Sequence, residues 1–230
     1  MNSTLHVGFL AFPHMTQLDL TGPAQVLSRM PGAQIHLVWK RIEPLVTDVG
    51  FSINPTVTFA DCPDLDVLCV PGGIGVLQQL GDQETLDFLC AKASTARYVT
   101  SVCNGSVLLA ATGLLKGYRT ACHWSWLHLL PRFGAIPVAE RVVRDRNRVS
   151  GGGVTSGIDF ALTLAAELVG EETARMIQLG LEYDPQPPLD CGSPEKAGAE
   201  RVARARAAGH AVMQQVEAAV DSAAQRLRLA

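Results

Sequence analysis

Tyr98-Val99-Thr100-Ser101-Val102-Cys103-Asn104-Gly105-Ser106 is the stretch whose reading decides the fold. Apolar and β-branched residues run up to Val102, the pattern of a strand buried on both faces. A helix over residues 104–112 follows at once and stops at Gly113. Cys103 stands on the corner between the two. Such a corner is a nucleophile elbow, which pushes its side chain out at the carboxyl edge of a sheet. The free amides and partial positive charge of the new helix favour thiolate, so the thiol is expected to ionise below its usual ~8.5. Cys69 lies within a strand, Cys90 within a helix, and Cys62 and Cys191 in loops. None of these has a helix start directly after it, and they read as structural.

Outward from this corner the same alternation repeats. Residues 5–12 form an apolar run closed by Pro13, and residues 17–30 carry Leu18, Leu20, Val26 and Leu27 near a helical period. Pro23 falls early in that helix, where proline is tolerated. Strands are expected at 35–39, 65–70 and 97–102, and helices at 84–96, 124–133 and 158–169. Residues 47–58 read as a small antiparallel excursion broken at Gly50, and Asp145-Arg146-Asn147 as the turn of a hairpin. Apolar strands alternating with helices predict an α/β sandwich, a mostly parallel sheet covered on both faces.

Residues 1–183 form one expected domain. Asp184-Pro185-Gln186-Pro187-Pro188 then reads as an extended linker. Within residues 184–230, positions 195–229 read as one long amphipathic helix, with Val202, Val212, Val216, Val220 and Leu227 near one face. That helix either packs on its own sheet or serves a subunit contact.

Composition narrows the function. The chain has 230 residues, 47% hydrophobic, enough to bury a sizeable core. Its 19 basic and 22 acidic residues leave a net charge of -3, so no field favours nucleic acid or an anionic membrane. No apolar run approaches the roughly 18–20 residues that span a bilayer. Met1-Asn2-Ser3-Thr4-Leu5-His6 lacks a basic region and cleavage site of a signal peptide. Six cysteines without a C-x-x-C pair, and His123 and His128 five residues apart, predict neither a disulfide scaffold nor a zinc site. Free thiols in a reducing cytoplasm are the expectation.

Further candidates surround the corner. Asp19 interrupts the apolar Leu18-Asp19-Leu20 just after the first strand, so a raised pKa would fit it to donate protons at neutral pH. An N-cap for the following helix is the alternative. Pro71-Gly72-Gly73-Ile74-Gly75 lacks a phosphate-binding ending, but its amides can point at developing negative charge. Gly152, inside Gly151-Gly152-Gly153, permits close backbone approach. His123 reads either as a base partner of Cys103 or as a hydrogen-bonded structural histidine. Trp124 and Trp126 either line an apolar pocket or pack in the core.

Phe12-Pro13, Leu18-Asp19-Leu20-Thr21-Gly22-Pro23, Val70-Pro71-Gly72-Gly73, Ser101-Val102-Cys103-Asn104-Gly105 and His123-Trp124 together resemble the ThiJ/PfpI superfamily. Within it the likeness is to bacterial isocyanide hydratases. It continues through Glu140–Asp145, Gly151-Gly152-Gly153, Gly157–Leu162 and Leu181-Glu182-Tyr183, nearly the whole chain. The resemblance implies a flavodoxin-like three-layer sandwich ending in a long helix, with Cys103 as nucleophile and Asp19 as its acid/base partner. Asn104 stands where the hydratases have Thr and proteolytic relatives have His, which argues against proteolysis and leaves an amide to replace a hydroxyl. Gly72, Gly73, Gly152, Asn104, His123 and Trp124 are expected to orient polar atoms of the substrate and intermediate.

The implied reaction is cofactor-free and metal-free hydration of an isocyanide to an N-substituted formamide, by a hydro-lyase, through a Cys103 thioimidate. Isocyanide and water are the expected partners, with a homodimer implied and neither nucleic acid nor membrane. Two rivals remain. One is a glyoxalase or deglycase acting on methylglyoxal. The other is a cysteine redox or ligand sensor; similar domains precede DNA-binding helices, but no second, basic helix pair follows here.

Overall fold

The computed structural model describes residues 4–229. Seven strands make the central sheet: β1 (Leu5–Leu10), β2 (Ala33–Trp39), β5 (Val57–Thr58), β6 (Val67–Val70), β7 (Tyr98–Val102), β10 (Val142–Asp145) and β11 (Arg148–Gly151). Two small sheets pair β3 (Leu45–Val46) with β4 (Ser52–Ile53), and β8 (Arg119–Thr120) with β9 (Ile136–Pro137). The helices are α1 (Gln17–Leu27), α2 (Val76–Gln79), α3 (Gln83–Thr95), α4 (Gly105–Ala111), α5 (Ser156–Val169), α6 (Glu171–Gly180), α7 (Pro194–Ala197), α8 (Ala199–Ala208) and α9 (His210–Leu229).

The main sheet runs β10-β11-β7-β6-β1-β2-β5 and is parallel except for β10, the outer arm of the β10–β11 hairpin. Helices α1, α5 and α6 pack together on one face, while α4 and α9 pack together on the other. The sandwich has three layers. Its strands read as continuous apolar runs because both faces are covered. Phe9, Leu10, Phe12, Leu68, Leu108 and Phe160 are fully buried between the layers.

The order reverses beside β1: the chain steps outward to β2 on one side and crosses to β6 and then β7 on the other. Ligands of open α/β sheets bind at such a switch point, beyond the carboxyl ends of the strands. Asp19 follows β1, Gly72 follows β6 and Cys103 follows β7, so three candidates share one sheet edge.

Several expectations need correction. Residues 195–229 are not one helix. Gly198, at φ 79, and Gly209 divide the run into α7, α8 and α9, since glycine costs about 1 kcal/mol more than alanine inside a helix. Only α9 buries a full apolar stripe, through Val216, Val220, Ala223 and Ala224. Residues 124–133 are turns and a 3-10 helix over Leu127–Phe133, where Pro131 lacks the N–H an α-helix needs. Pro23 lies past the first turn of α1, so the Asp19 carbonyl receives no intrahelical bond from position 23. The excursion does form the antiparallel β3–β4 pair, but Val57–Thr58 leaves it and joins the main sheet beside β2.

Candidate active site

Cys103 sits at φ 57, a left-handed conformation that costs a non-glycine residue of order 1–3 kcal/mol. Its N–H donates to the Gly151 carbonyl at 3.1 Å, which ties the corner to β11. The next residue, Asn104, caps α4. This geometry turns the sulfur toward a cavity instead of the sheet, although only 7% of the residue is exposed.

Burial is the largest influence on the Cys103 thiol and pushes its pKa well up; the neighbouring Asp19 and Cys122 raise it further. The Asn104 backbone N–H pulls the other way and does not prevail. The expectation that a helix start alone holds this sulfur ionised is therefore corrected. A short helix supplies partial charge, whereas removing a full anion from water costs more.

Asp19 is not the N-cap of α1; Thr16 holds that position. Asp19 lies in the first turn and points inward, 1% exposed. Its Oδ2 accepts the Gly72 N–H at 2.9 Å. Its Oδ1 is buried and, among the described residues, has no hydrogen-bond partner. Burial lifts the carboxyl from 3.8 to about 7, against lowering contributions from the Gly72 amide and the Cys103 thiol, with Asp48 adding a small rise. Carboxyl and thiol thus face each other closely enough to shift each other's acidity, and one oxygen is left uncommitted.

The Gly72-Gly73 loop is held against the start of α1. The Thr16 N–H donates to the Gly72 carbonyl at 2.9 Å, and the Gly75 N–H to the His14 carbonyl at 3.1 Å. A Cβ at position 72 would overlap Asn104 Oδ1 and press within 2.8 Å of Asp19 Oδ2, so this approach requires glycine. Asn104 clamps the loop from the other side. Its Oδ1 accepts the Gly73 N–H at 2.7 Å and its Nδ2 donates to the Gly73 carbonyl at 3.0 Å.

These bonds change the expected roles. The Gly72 and Gly73 amides are engaged by Asp19 and Asn104, so they position those side chains instead of meeting a charged intermediate. The Gly152 N–H is likewise taken, by the Arg141 carbonyl at 2.9 Å. Cys69, 2% exposed, is pushed up to about 12 by burial, and Cys122 is pushed up further.

His123 and Trp124 line the same cavity as Cys103. The ring Nδ1 of His123 is 2.8 Å from the Ser125 hydroxyl, and burial lowers its pKa, so the imidazole is neutral at pH 7. Trp124 stacks at a tilt on His123, with ring centres 5.7 Å apart. The cavity holds about 1050 Å³. Its outer wall comes from Arg206 of α8, the Gly209 break, and Val212 and Met213 of α9, none of which was marked by a motif. The one available signal was glycine inside an otherwise helical run. Among the described residues, no three His, Cys, Asp or Glu side chains gather into a metal-holding group.

The DJ-1/PfpI family profile matches residues 6–167, and the chain belongs to that family. It is 57% identical to a Pseudomonas putida protein named isonitrile hydratase, over 88% of this chain and 89% of that one. It is 29% identical to the HTH-type transcriptional regulator GbdR of Pseudomonas aeruginosa, over 77% of this chain but only 50% of the regulator. A ThiJ/PfpI family protein from Pseudomonas syringae superposes with a TM-score of 0.89 at 44% identity, covering 96% of this chain and 91% of that one. Drosophila melanogaster DJ-1beta shares the fold, with a TM-score of 0.72 at 22% identity, over 79% of this chain and 100% of that one.

Proposed function

We propose that this DJ-1/PfpI family member hydrates isocyanides to N-substituted formamides through a covalent Cys103 adduct, with Asp19 moving the protons. The observation that carries this reading is the buried Asp19 carboxyl, with one oxygen unpartnered among the described residues, interacting with the Cys103 thiol, which itself lines a ligand-sized cavity. The named activity of the Pseudomonas putida relative supports the choice of substrate.

The pair enters the reaction with one proton between carboxyl and thiol. Asp19 carboxylate takes the S–H proton as sulfur attacks the terminal carbon of R–N≡C, forming a C–S bond and an imidoyl carbanion. The carboxylic acid so formed returns that proton to the same carbon, giving the thioimidate R–N=CH–S–Cys103. Water adds next: ionised Asp19 accepts one water proton as hydroxide bonds to carbon, then passes that same proton to nitrogen to give R–NH–CH(OH)–S–Cys103. Asp19 takes the hydroxyl proton and delivers it to sulfur as C–S breaks, which releases R–NH–CHO and regenerates the thiol. Carbon, sulfur and water protons balance, and no electrons leave the system. A carboxyl tuned to about 7 exchanges protons in both directions near neutral pH.

The test is steady-state turnover of p-nitrophenyl isocyanide with formamide quantified. The reading requires turnover by the wild type and none above background with Cys103→Ala. Lactate released from methylglyoxal, with no formamide from the isocyanide, would replace it with a glyoxalase.

A further inference from the structure

The isocyanide group is three atoms at most, counting the carbon it is joined to, so a cavity of about 1050 Å³ is built mainly for the rest of the substrate. That volume lies at the top of the ~300–1,000 Å³ usual for small-ligand sites. Trp124, Trp126, Leu127, Val154 and Met213 give it an apolar wall with two indoles. Arg206 stands on the exposed side, its guanidinium 5.9 Å from the centre of the Trp124 ring. Among the described residues no Asp or Glu lines the cavity; His128 and His210 join Arg206 on its rim, with the Glu217 carboxylate 3.4 Å from His128 Nε2. Arg132, Arg144 and Arg175 face Asp221, Glu167 and Glu171, while Arg201 and Arg204 of α8, which do not lie over the indole, face no carboxylate among the described residues. Among the described residues no carboxylate pairs with Arg206.

From this lining we infer that the preferred isocyanides have a flat, apolar body ending in a carboxylate, which Arg206 receives beside Trp124. The inference rests on the proposed hydration and names the substrate class of that same site. Cys103 is nine-tenths buried at the inner end, so the reacting carbon goes inward and the far end of the molecule reaches α8. A guanidinium held over an indole presents its planar donors to a carboxylate, and an aryl body lies against the same ring. An anion there meets the Arg206 guanidinium, with which no carboxylate pairs among the described residues. A cationic end would meet the Arg206 guanidinium instead.

The experiment compares 4-isocyanobenzoate with its methyl ester, and wild type with Arg206→Gln and Arg206→Lys. Wild type should favour the acid at least ~5-fold in kcat/KM at low salt, through KM, as an exposed but aligned charge pair allows. Arg206→Gln should erase the preference, Arg206→Lys should keep part of it, and 0.5 M NaCl should shrink it. An acid-to-ester ratio that Arg206→Gln leaves unchanged overturns the inference while hydration stands. Absence of turnover with both compounds is failure of the hydration reading. Binding then decides Arg206 alone: 4-formamidobenzoate should quench tryptophan fluorescence at least ~5-fold more tightly than its methyl ester, and only with Arg206 present. Equal binding of the two would overturn it.

Discussion

Asp19→Asn separates what the site costs the fold from what it gives the reaction. Asparagine keeps the shape, and its Oδ1 can still accept the Gly72 N–H that now bonds Oδ2 of the acid. It cannot carry the proton. Burial raises the folded carboxyl from 3.8 to about 7. At about 1.4 kcal/mol per tenfold change, ionising it inside the fold costs ~4 kcal/mol relative to the unfolded chain. Between the two pKa values the folded state holds the extra proton, so stability falls as pH rises from about 4 to about 7 and is level above that. Roughly 3 kcal/mol of the loss falls between pH 5 and pH 8. The variant has no such slope. Urea unfolding of both proteins at pH 5 and pH 8 should show the wild-type-minus-variant difference moving by ~3 kcal/mol in favour of the variant at pH 8. The same variant should lose at least ~100-fold in kcat with p-nitrophenyl isocyanide. A difference that does not change with pH, or a rate within tenfold of wild type, would refute the reasoning.

Three other outcomes follow from the geometry. Iodoacetamide at pH 7 should label exposed Cys191 well before Cys103, whose thiol is buried and pushed up; peptide mass spectrometry showing Cys103 labelled first would contradict that acidity. Asn104→Ala leaves the buried Gly73 N–H unpaired, while the Gly73 carbonyl keeps the Val76 N–H at 3.2 Å, and should cost about 1–3 kcal/mol in urea unfolding, with turnover lost as the Gly72-Gly73 loop loosens; a loss under about 0.5 kcal/mol would contradict the clamp. His6 Nδ1 of β1 lies 2.9 Å from His36 Nε2 of the neighbouring β2, and burial, then His6, lower the His36 pKa. The unfolded chain therefore takes up that proton first, and stability should fall as pH drops below about 6.5; His36→Gln should flatten that limb in a pH series of melts.

The fold was legible because the central strands β1, β6 and β7 read as largely apolar runs and the helices between them carry their own period. The corner at Cys103 was legible for the same reason: nothing separates the strand from the helix. Asp19 stood out as one carboxyl in an apolar helix turn, but its choice between cap and proton carrier needed the Gly72 contact. The acidity of Cys103 was misread because sequence displays the helix start and hides the burial. The engaged amides of Gly72 and Gly73 were equally hidden, since both partners, Asp19 and Asn104, lie 31 or more positions away. The cavity wall from α8 and α9 was missed because helical propensity across 195–229 outweighed two glycines that bend the chain back over the site.

Rapid acid quench during steady turnover, followed by peptide mass spectrometry, examines the covalent step itself. The Cys103 peptide should carry an added mass equal to the whole isocyanide, and that species should vanish once substrate is exhausted. Continued formamide production with Cys103 unmodified at every quench time, or with the adduct on Cys122 instead, would contradict a thioimidate at this corner.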